Sequence, residues 1–146
     1  MTAGRFRHVL VGWDASADAA EALSAAASIA GDEGHVVALS VVPENSHVEA
    51  ADERGSERAA ARRWAEEQFE RARQVVASAN GARMSLEIVE SPQVARVVCD
   101  YAAEHGFDLL VLGRHGDVGT LRRRPGRVAE AVAWGSAIPV LLLSAR

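Results

Sequence analysis

The sequence predicts a single α/β domain, residues 1–146, in which helices cover both faces of a five-stranded, mainly parallel sheet. Three observations support this doubly wound fold. The chain of 146 residues has the size of one domain. Short continuous apolar runs, typical of strands buried on both faces, recur along it. Segments of helical periodicity separate these runs, and strands alternating with helices favour right-handed parallel crossovers.

The first two strands and the first helix are marked by clear start and stop signals. Residues 8–12 are a short apolar run and form the first predicted strand. The helix predicted over 16–30 begins with Asp18 three residues before Glu21, which is a capping-box spacing. Gly31 is a suitable residue to end it. The second predicted strand, 36–42, stops at a proline.

A long amphipathic helix is predicted next, after a connection. Residues 44–54 have no periodicity and are expected to be a mobile connection. From about residue 56 to residue 79, apolar side chains recur at three- and four-residue steps. The stripe expected to face the core comprises Ala61, Trp64, Ala65, Ala72, Val75, Val76 and Ala79.

The second half of the chain contains three more strands. Residues 84–90 alternate between apolar and polar, so this strand is predicted to be half exposed at a sheet edge. A helix is expected from Pro92 to about Gly106, followed by a buried strand over 108–112. A glycine-rich loop over 113–126, a short helix over 128–134 and a last strand over 139–143 complete the fold.

Composition excludes several function classes. The net charge of −4 argues against nucleic acid, because phosphate neutralisation needs clustered positive charge. All 16 basic residues are arginine, so a Walker A loop, a kinase site and Schiff-base chemistry lack their lysine. The single cysteine, Cys99, excludes an internal disulfide and a thiolate zinc cluster. Without an apolar run of membrane-spanning length, we expect a soluble, cytoplasmic domain with no membrane partner.

Catalysis finds little support in the sequence. The nucleophile motif Gly-x-Ser-x-Gly and the dinucleotide motif Gly-x-Gly-x-x-Gly are both absent. The histidines have no metal-ligand spacing. We therefore expect no catalytic residue and no metal site, and at most a slow hydrolysis of ATP with Mg²⁺.

The residues most suited to binding a ligand follow two of the predicted strands, the first and the fourth. The first strand leads into Gly12, Asp14 and Ser16, and a carboxylate in this position suits a sugar hydroxyl, although it can also cap the first helix. The fourth strand leads into Gly113, and a further glycine, Gly126, precedes the last helix. Glycines and a helix N-terminus offer backbone N–H groups to an anion such as phosphate. The intervening Arg122, Arg123 and Arg124 are expected to be a solvated run that adds to the attraction for phosphate, with one of the three able to reach it.

At these residues the chain resembles the universal stress protein family over nearly its whole length. The opening VLVGWDAS is similar to that family's first strand and turn, which ends in Asp-x-Ser. The family's nucleotide-binding signature, Gly-x2-Gly-x9-Gly-(Ser/Thr), is matched in spacing by Gly113, Gly116 and Gly126. The closing AIPVLLL resembles the family's last strand, which commonly pairs across a dimer axis.

The resemblance implies an adenine-nucleotide α-hydrolase-like fold that binds ATP, or ADP or AMP, with or without Mg²⁺, as a regulatory ligand in a stress response. It also implies a homodimer through the C-terminal strand and an unknown protein partner. The residues expected to contact base, ribose and phosphates are Gly12, Asp14, Val41, Leu112, Gly113, His115, Gly116, Gly126, Arg127 and Val128.

The chain departs from the family's signature at residue 127, where arginine replaces a small hydroxyl residue. Arginine can pair with phosphate. Its long side chain can also occupy the volume of a phosphate. The alternative hypothesis is therefore a nucleotide-free dimeric interaction module in which Arg127 blocks the phosphate position.

Overall fold

Strands and helices alternate in the computed structural model, which describes residues 6–42, 51–79, 83–114 and 126–144. Apart from the start of the second helix, their bounds lie within two residues of those predicted. Among the described helices none is long and apolar enough to cross a membrane. The strands are β1 (His8–Gly12), β2 (His35–Val42), β3 (Arg83–Glu90), β4 (Leu109–Gly113) and β5 (Val140–Leu143), and the helices are α1 (Ala17–Ala30), α2 (Ala51–Ala79), α3 (Val94–Glu104) and α4 (Arg127–Gly135).

The five strands form one parallel sheet in the order β3-β2-β1-β4-β5. The prediction of a parallel sheet with β3 at an edge is confirmed. The chain runs outward from β1 through β2 to β3 and then crosses back to β4, on the other side of β1. This reversal makes the gap between β1 and β4 the switch point, where sheets of this kind bind ligands outside the carboxyl ends of their strands.

Two helices cover each face of the sheet, as predicted. Val9 and Val11 of β1 belong to a buried cluster on the face covered by α1 and α2. Leu10, between them in sequence, belongs to a second cluster with Val98 of α3 and Val132 of α4. Because successive side chains of a strand point to opposite faces, the central strand is buried on both.

Helix α1 begins differently from the prediction. Its N-cap is Ser16, whose Oγ accepts a hydrogen bond of 3.1 Å from the Ala19 N–H. Asp18 lies in the first turn and is not the cap, so the predicted capping box with Glu21 is wrong. Ser16 as a whole is 7% exposed. Its hydroxyl pairs with one of the N–H groups that a helix leaves without an acceptor at its start.

Helix α2 begins at Ala51, so residues 51–54 of the predicted connection are helical, and residues 43–50 lie outside the described residues. Its buried face agrees with the predicted one in part, because Ala65 is buried and Ala72 packs against the core, whereas Trp64 does not. Trp64 is 51% exposed, whereas Ala65 and Phe69 are each 5% exposed. Ala65 and Phe69 are four residues apart and share one face of the helix, and Trp64 lies about 100° around the axis from Ala65.

Candidate functional site

The carboxyl ends of β1 and β4 meet at the switch point of the sheet. Val11 and Val111 are partners in the ladder between these strands. One residue further on, a side chain at Gly12 would collide with the Leu112 side chain. Gly12 is therefore required for the packing of Leu112 against β1, whatever else it contacts.

The turn after β1 fixes a carboxylate at this edge. The Trp13 N–H donates to the Leu39 carbonyl of β2 at 2.9 Å, and this bond holds the turn against the sheet. Asp14 is exposed, and its Oδ1 accepts a hydrogen bond of 2.9 Å from the Ser16 N–H. The alternative role considered for Asp14, a turn cap, is thus present in the structure. An exposed carboxylate held by one oxygen remains able to accept a hydrogen bond from a ligand.

Backbone strain marks the same turn. Ala15 has φ of 62° and is the one non-glycine residue with positive φ in the described ranges. This left-handed conformation is unfavourable for alanine. Such strain is characteristic of positions where the surrounding structure fixes a functional turn.

The start of α4 is tied to the ends of two strands. The Arg114 N–H donates to the Leu143 carbonyl of β5, and the Gly126 N–H donates to the Arg114 carbonyl, both at 2.6 Å. Gly126 is the N-cap of α4, and its carbonyl accepts the first intrahelical bond from the Glu130 N–H at 2.9 Å. The α4 N-terminus therefore lies directly beside the carboxyl end of β4.

The first turn of α4 presents backbone donors to this edge. Because intrahelical bonding starts at Glu130, the N–H groups of Arg127, Val128 and Ala129 have no intrahelical acceptor. Arg127 is exposed and Val128 is 40% exposed, while Ala129 is buried. This helix end carries a partial positive charge and suits an anion.

Gly113 has a packing role that the sequence did not indicate. A β-carbon built on it would lie 2.6 Å from the Asp18 Cβ and 3.0 Å from the Asp18 carbonyl carbon. The end of β4 can therefore approach the first turn of α1 this closely only with glycine at position 113. The requirement for glycine here arises from helix–strand packing.

The structure brings together most of the predicted site residues at one edge. Gly12 and Leu112 are in contact, and Arg114 links Gly113 to Gly126. Val41 lies near the end of β2, packed against the α3–α4 face. His115, Gly116, Arg122, Arg123 and Arg124 lie outside the described residues. Arg114 was not among the predicted site residues. It links β5 to the start of α4 through its backbone N–H and carbonyl, and no side-chain pattern in the sequence indicates such bonds.

Trp13, next to Asp14, is a packing residue. Its side chain is 5% exposed and belongs to the α1–α2 cluster, with its ring edge-on to Phe69 at 6.0 Å between centroids. Its Nε1–H has no hydrogen-bond partner among the described residues. In the part of the chain that the structure describes, no group of three or more histidine, cysteine or carboxylate side chains could hold a metal ion.

This geometry defines a class of protein: a parallel α/β domain with a carboxylate and a helix N-terminus at its topological switch point. The family model of the universal stress protein family matches residues 5–144. The chain therefore belongs to the universal stress protein family, as its resemblance predicted. No curated protein matches the sequence closely enough to count as a relative.

Solved structures agree with this assignment. Universal stress protein UspA from Lactobacillus plantarum is similar, with a TM-score of 0.82 and 29% identity over 96% of this chain and 99% of that chain. A universal stress protein in complex with cAMP has a TM-score of 0.68 and 20% identity over 97% and 98%. The universal stress protein from Archaeoglobus fulgidus in complex with dAMP has a TM-score of 0.65 and 18% identity over 94% and 97%. At 20% and 18% identity, the last two similarities show a shared fold.

Proposed function

We propose that this protein binds an adenine nucleotide, ATP or its di- or monophosphate, as a regulatory ligand at the switch point between β1 and β4. The observation that carries the proposal is the position of the Asp14 carboxylate and the α4 N-terminus at one edge of the sheet. The two relatives whose structures contain cAMP and dAMP support it, since both are adenine mononucleotides held by this fold.

Each group at the edge has a defined task in this proposal. The Asp14 carboxylate, oriented by the Ser16 N–H, accepts a hydrogen bond from a ribose hydroxyl. The N–H groups at the start of α4 donate to a phosphate oxygen. Gly12, Val41 and Leu112 form the apolar surface expected against the base.

Arg127 strengthens the argument for an anion at this position. A cation in the first turn of a helix is repelled by the positive end of the helix dipole. Arg127 is the first residue of α4, so its charge and the N–H groups without an intrahelical acceptor belong to the same helix end. A phosphate placed there would relieve this repulsion and accept hydrogen bonds from both sources.

Regulation would follow from the position of the site. A ligand phosphate contacts α4, and α4 is hydrogen-bonded through Gly126 and Arg114 to the end of β5. Nucleotide occupancy would thus change the surface formed by α4 and the strand edge beside it. Such a change can be recognised by a protein partner.

Calorimetric titration with AMP, cAMP, ADP and ATP, with and without Mg²⁺, tests the proposal. Asp14→Asn is expected to weaken nucleotide binding at least about tenfold, because a hydrogen bond to a charged group contributes about 1.5–3 kcal/mol. Asp32→Asn is the matched control, since Asp32 is an exposed carboxylate at the opposite edge of the sheet. Equal affinities of the two variants would contradict the role of Asp14.

The Arg127→Ser variant separates the proposed function from its alternative. Binding by the wild-type protein supports the nucleotide site. If no nucleotide binds the wild type at millimolar concentration but one binds Arg127→Ser, the nucleotide-free interaction module is the correct function. If neither protein binds a nucleotide, the proposal of a nucleotide site is contradicted.

We also propose that the protein forms a homodimer through β5. This strand is an outer strand of the sheet, uncharged and only half-buried along its length. Trp134, near the end of α4 and six residues before β5, is 86% exposed. Among the described strands β5 pairs with β4 alone, so its outer edge and the exposed tryptophan of α4 are apolar surfaces that a second copy can cover by two-fold pairing.

Trp134→Ala is expected to raise the dimer dissociation constant at least about thirtyfold, since buried tryptophans at interfaces contribute about 2 kcal/mol or more. Sedimentation analysis at several concentrations measures it. Trp64→Ala, at a half-exposed tryptophan on α2, should leave the dimer unchanged. A monomeric wild type at micromolar concentration would rule out the dimer, and equal effects of the two variants would remove Trp134 from the interface.

A further inference from the structure

Two histidines lie side by side at the amino edge of the sheet, opposite the proposed nucleotide site. His8 begins β1 and His35 begins β2, and they are direct partners in the β1–β2 ladder. Their ring centroids are 5.8 Å apart, with an angle of 24° between the planes. The His8 ring also stacks on Phe107, at 4.0 Å and 25°. Two titratable rings and an aromatic side chain therefore form one stack.

The backbone around this stack ties three strands together. The His35 N–H donates to the Arg7 carbonyl at 2.7 Å, and the Asp108 N–H donates to the His8 carbonyl at 2.9 Å. The Asp108 carboxylate accepts hydrogen bonds from the N–H groups of Arg7 at 3.1 Å and His8 at 3.2 Å. The stack thus lies where the amino ends of β1, β2 and β4 are joined, and its stability affects all three.

Each ring has a neutral hydrogen-bond partner. His8 Nδ1 is 3.3 Å from the Gly106 carbonyl oxygen, and His35 Nε2 is 3.3 Å from the Ser85 Oγ. A carbonyl oxygen only accepts, so the bond to Gly106 requires a proton on His8 Nδ1. A neutral His8 with its proton on Nδ1 satisfies this bond. Both of these hydrogen bonds can therefore form while the rings carry no charge.

Positive charge beside His35 opposes a second proton on the pair. Arg83 is the ladder partner of His35 on β3 and adds positive charge. The nearby carboxylates are engaged, with Glu33 paired to the Arg7 guanidinium at 3.1 Å and Asp108 bonded to backbone N–H groups. The titratable and charged groups on the elements packed around the stack are Arg7, Glu33, Arg83, Glu87, Asp108 and Tyr101, and His105 lies beyond Tyr101.

The pKa of His35 reflects this environment. Partial burial lowers it from the usual 6.5, and the positive charges of His8 and Arg83 lower it further. Because the pKa is lower in the folded ring stack than in an open chain, the open state binds more protons in mildly acidic solution. The contribution of the stack to stability is therefore complete above about pH 6.5 and is lost as the pH falls through the pKa of folded His35.

We propose that His8 and His35 form a pH-sensitive latch, which holds the amino ends of β1 and β2 while the pair carries at most one proton and releases them when both rings are protonated. The latch is independent of the nucleotide site, which lies at the other end of the strands. Its opening exposes the starts of β1 and β2, and with them the face of Phe107 that His8 covers.

Proton NMR titration of the histidine rings gives the first test. The midpoint of His35 should lie below 6.5 in the wild type and rise in His8→Gln, because one positive neighbour is removed. His105→Gln is the matched control. His105 stacks on Tyr101 at the far side of Phe107, so its removal should leave the His35 midpoint unchanged. A His35 midpoint at or above 6.5, or one that His8→Gln does not move, would overturn the latch.

Hydrogen exchange in the wild-type protein gives the second test and needs no variant. Between pH 7.5 and 5.5 the protection factors of the His35 and Asp108 N–H groups should fall at least about tenfold, as expected for local opening. The Trp13 N–H, bonded to Leu39 at the carboxyl edge, should keep its protection. Equal losses at both edges would mean general acid destabilisation, and no loss at either edge would mean no latch.

Discussion

Gly113→Ala is expected to lower the free energy of unfolding by about 1–3 kcal/mol, the usual cost of adding a methyl group to a close-packed site. The physical reason is the contact between the end of β4 and the first turn of α1. The new β-carbon would lie 2.6 Å from the Asp18 Cβ and 3.1 Å from the Ala19 nitrogen, so the backbone of α1 would have to shift. Urea denaturation, monitored by circular dichroism, measures the change.

Gly135→Ala is the matched control for this substitution. At Gly135 the added β-carbon would meet the Cys99 Sγ at 3.6 Å, an ordinary contact, and the residue ends helix α4. Alanine is favoured over glycine in a helix by up to about 1 kcal/mol, so this variant should be as stable as the wild type or more stable.

Nucleotide titration of Gly113→Ala distinguishes packing from ligand contact. If position 113 needs glycine only to let a phosphate approach, the variant would keep the wild-type stability and lose binding. That result would contradict the packing role inferred here. A loss of stability shows that the signature glycine is required by the fold, so a match to the signature spacing would not by itself imply a bound nucleotide.

Phe69→Ala is expected to lower the free energy of unfolding by about 3–5 kcal/mol, the range for truncating a buried aromatic side chain. Phe69 is 5% exposed and contacts the Trp13 ring edge-on. Together with Ala65 it accounts for the buried side chains described on α2. Its truncation would therefore remove the largest buried side chain described on α2.

The control in the same helix is Trp64→Ala, at the residue that the apolar pattern predicted to be buried. Trp64 is 51% exposed, and substitutions at such positions usually change stability by no more than about 0.5 kcal/mol. Thermal and urea unfolding of both variants measure the difference. Equal losses, or a larger loss at Trp64, would mean that α2 is rotated about its axis relative to the structure described.

Helix α2 illustrates where sequence reasoning fails. Alanines recur around much of its circumference and it carries both Trp64 and Phe69, so more than one apolar stripe fits the helical period. Whether Trp64 or Phe69 is buried depends on the surface that α2 packs against. That surface includes Trp13, just after β1, whose ring contacts Phe69. The start of α1 gives a similar lesson, because Ser16 and Asp18 are both acceptable caps by residue type.

The candidate site was predicted in part. Asp14 and Gly113 were expected at one edge of the sheet because residues that follow parallel strands share it, and Gly126 because it precedes a helix there. The Arg114 bridge between the strands and α4 could not be recognised, since it uses backbone atoms alone. The histidine stack was missed for a different reason. His8 and His35 have no ligand spacing in the sequence, and only the ladder between β1 and β2 brings their rings together.

The sequence by itself determined the alternation of strands and helices, the burial of the central strands on both faces and membership of the universal stress protein family. These properties depend on side-chain periodicity and short spacings, which are local. The tertiary structure alone decided the strand order, the packing of Gly113 on Asp18 and the bonds between His8 and Asp108, which are 100 residues apart. Such contacts depend on where each crossover returns to the sheet, and the local pattern of residues does not specify that.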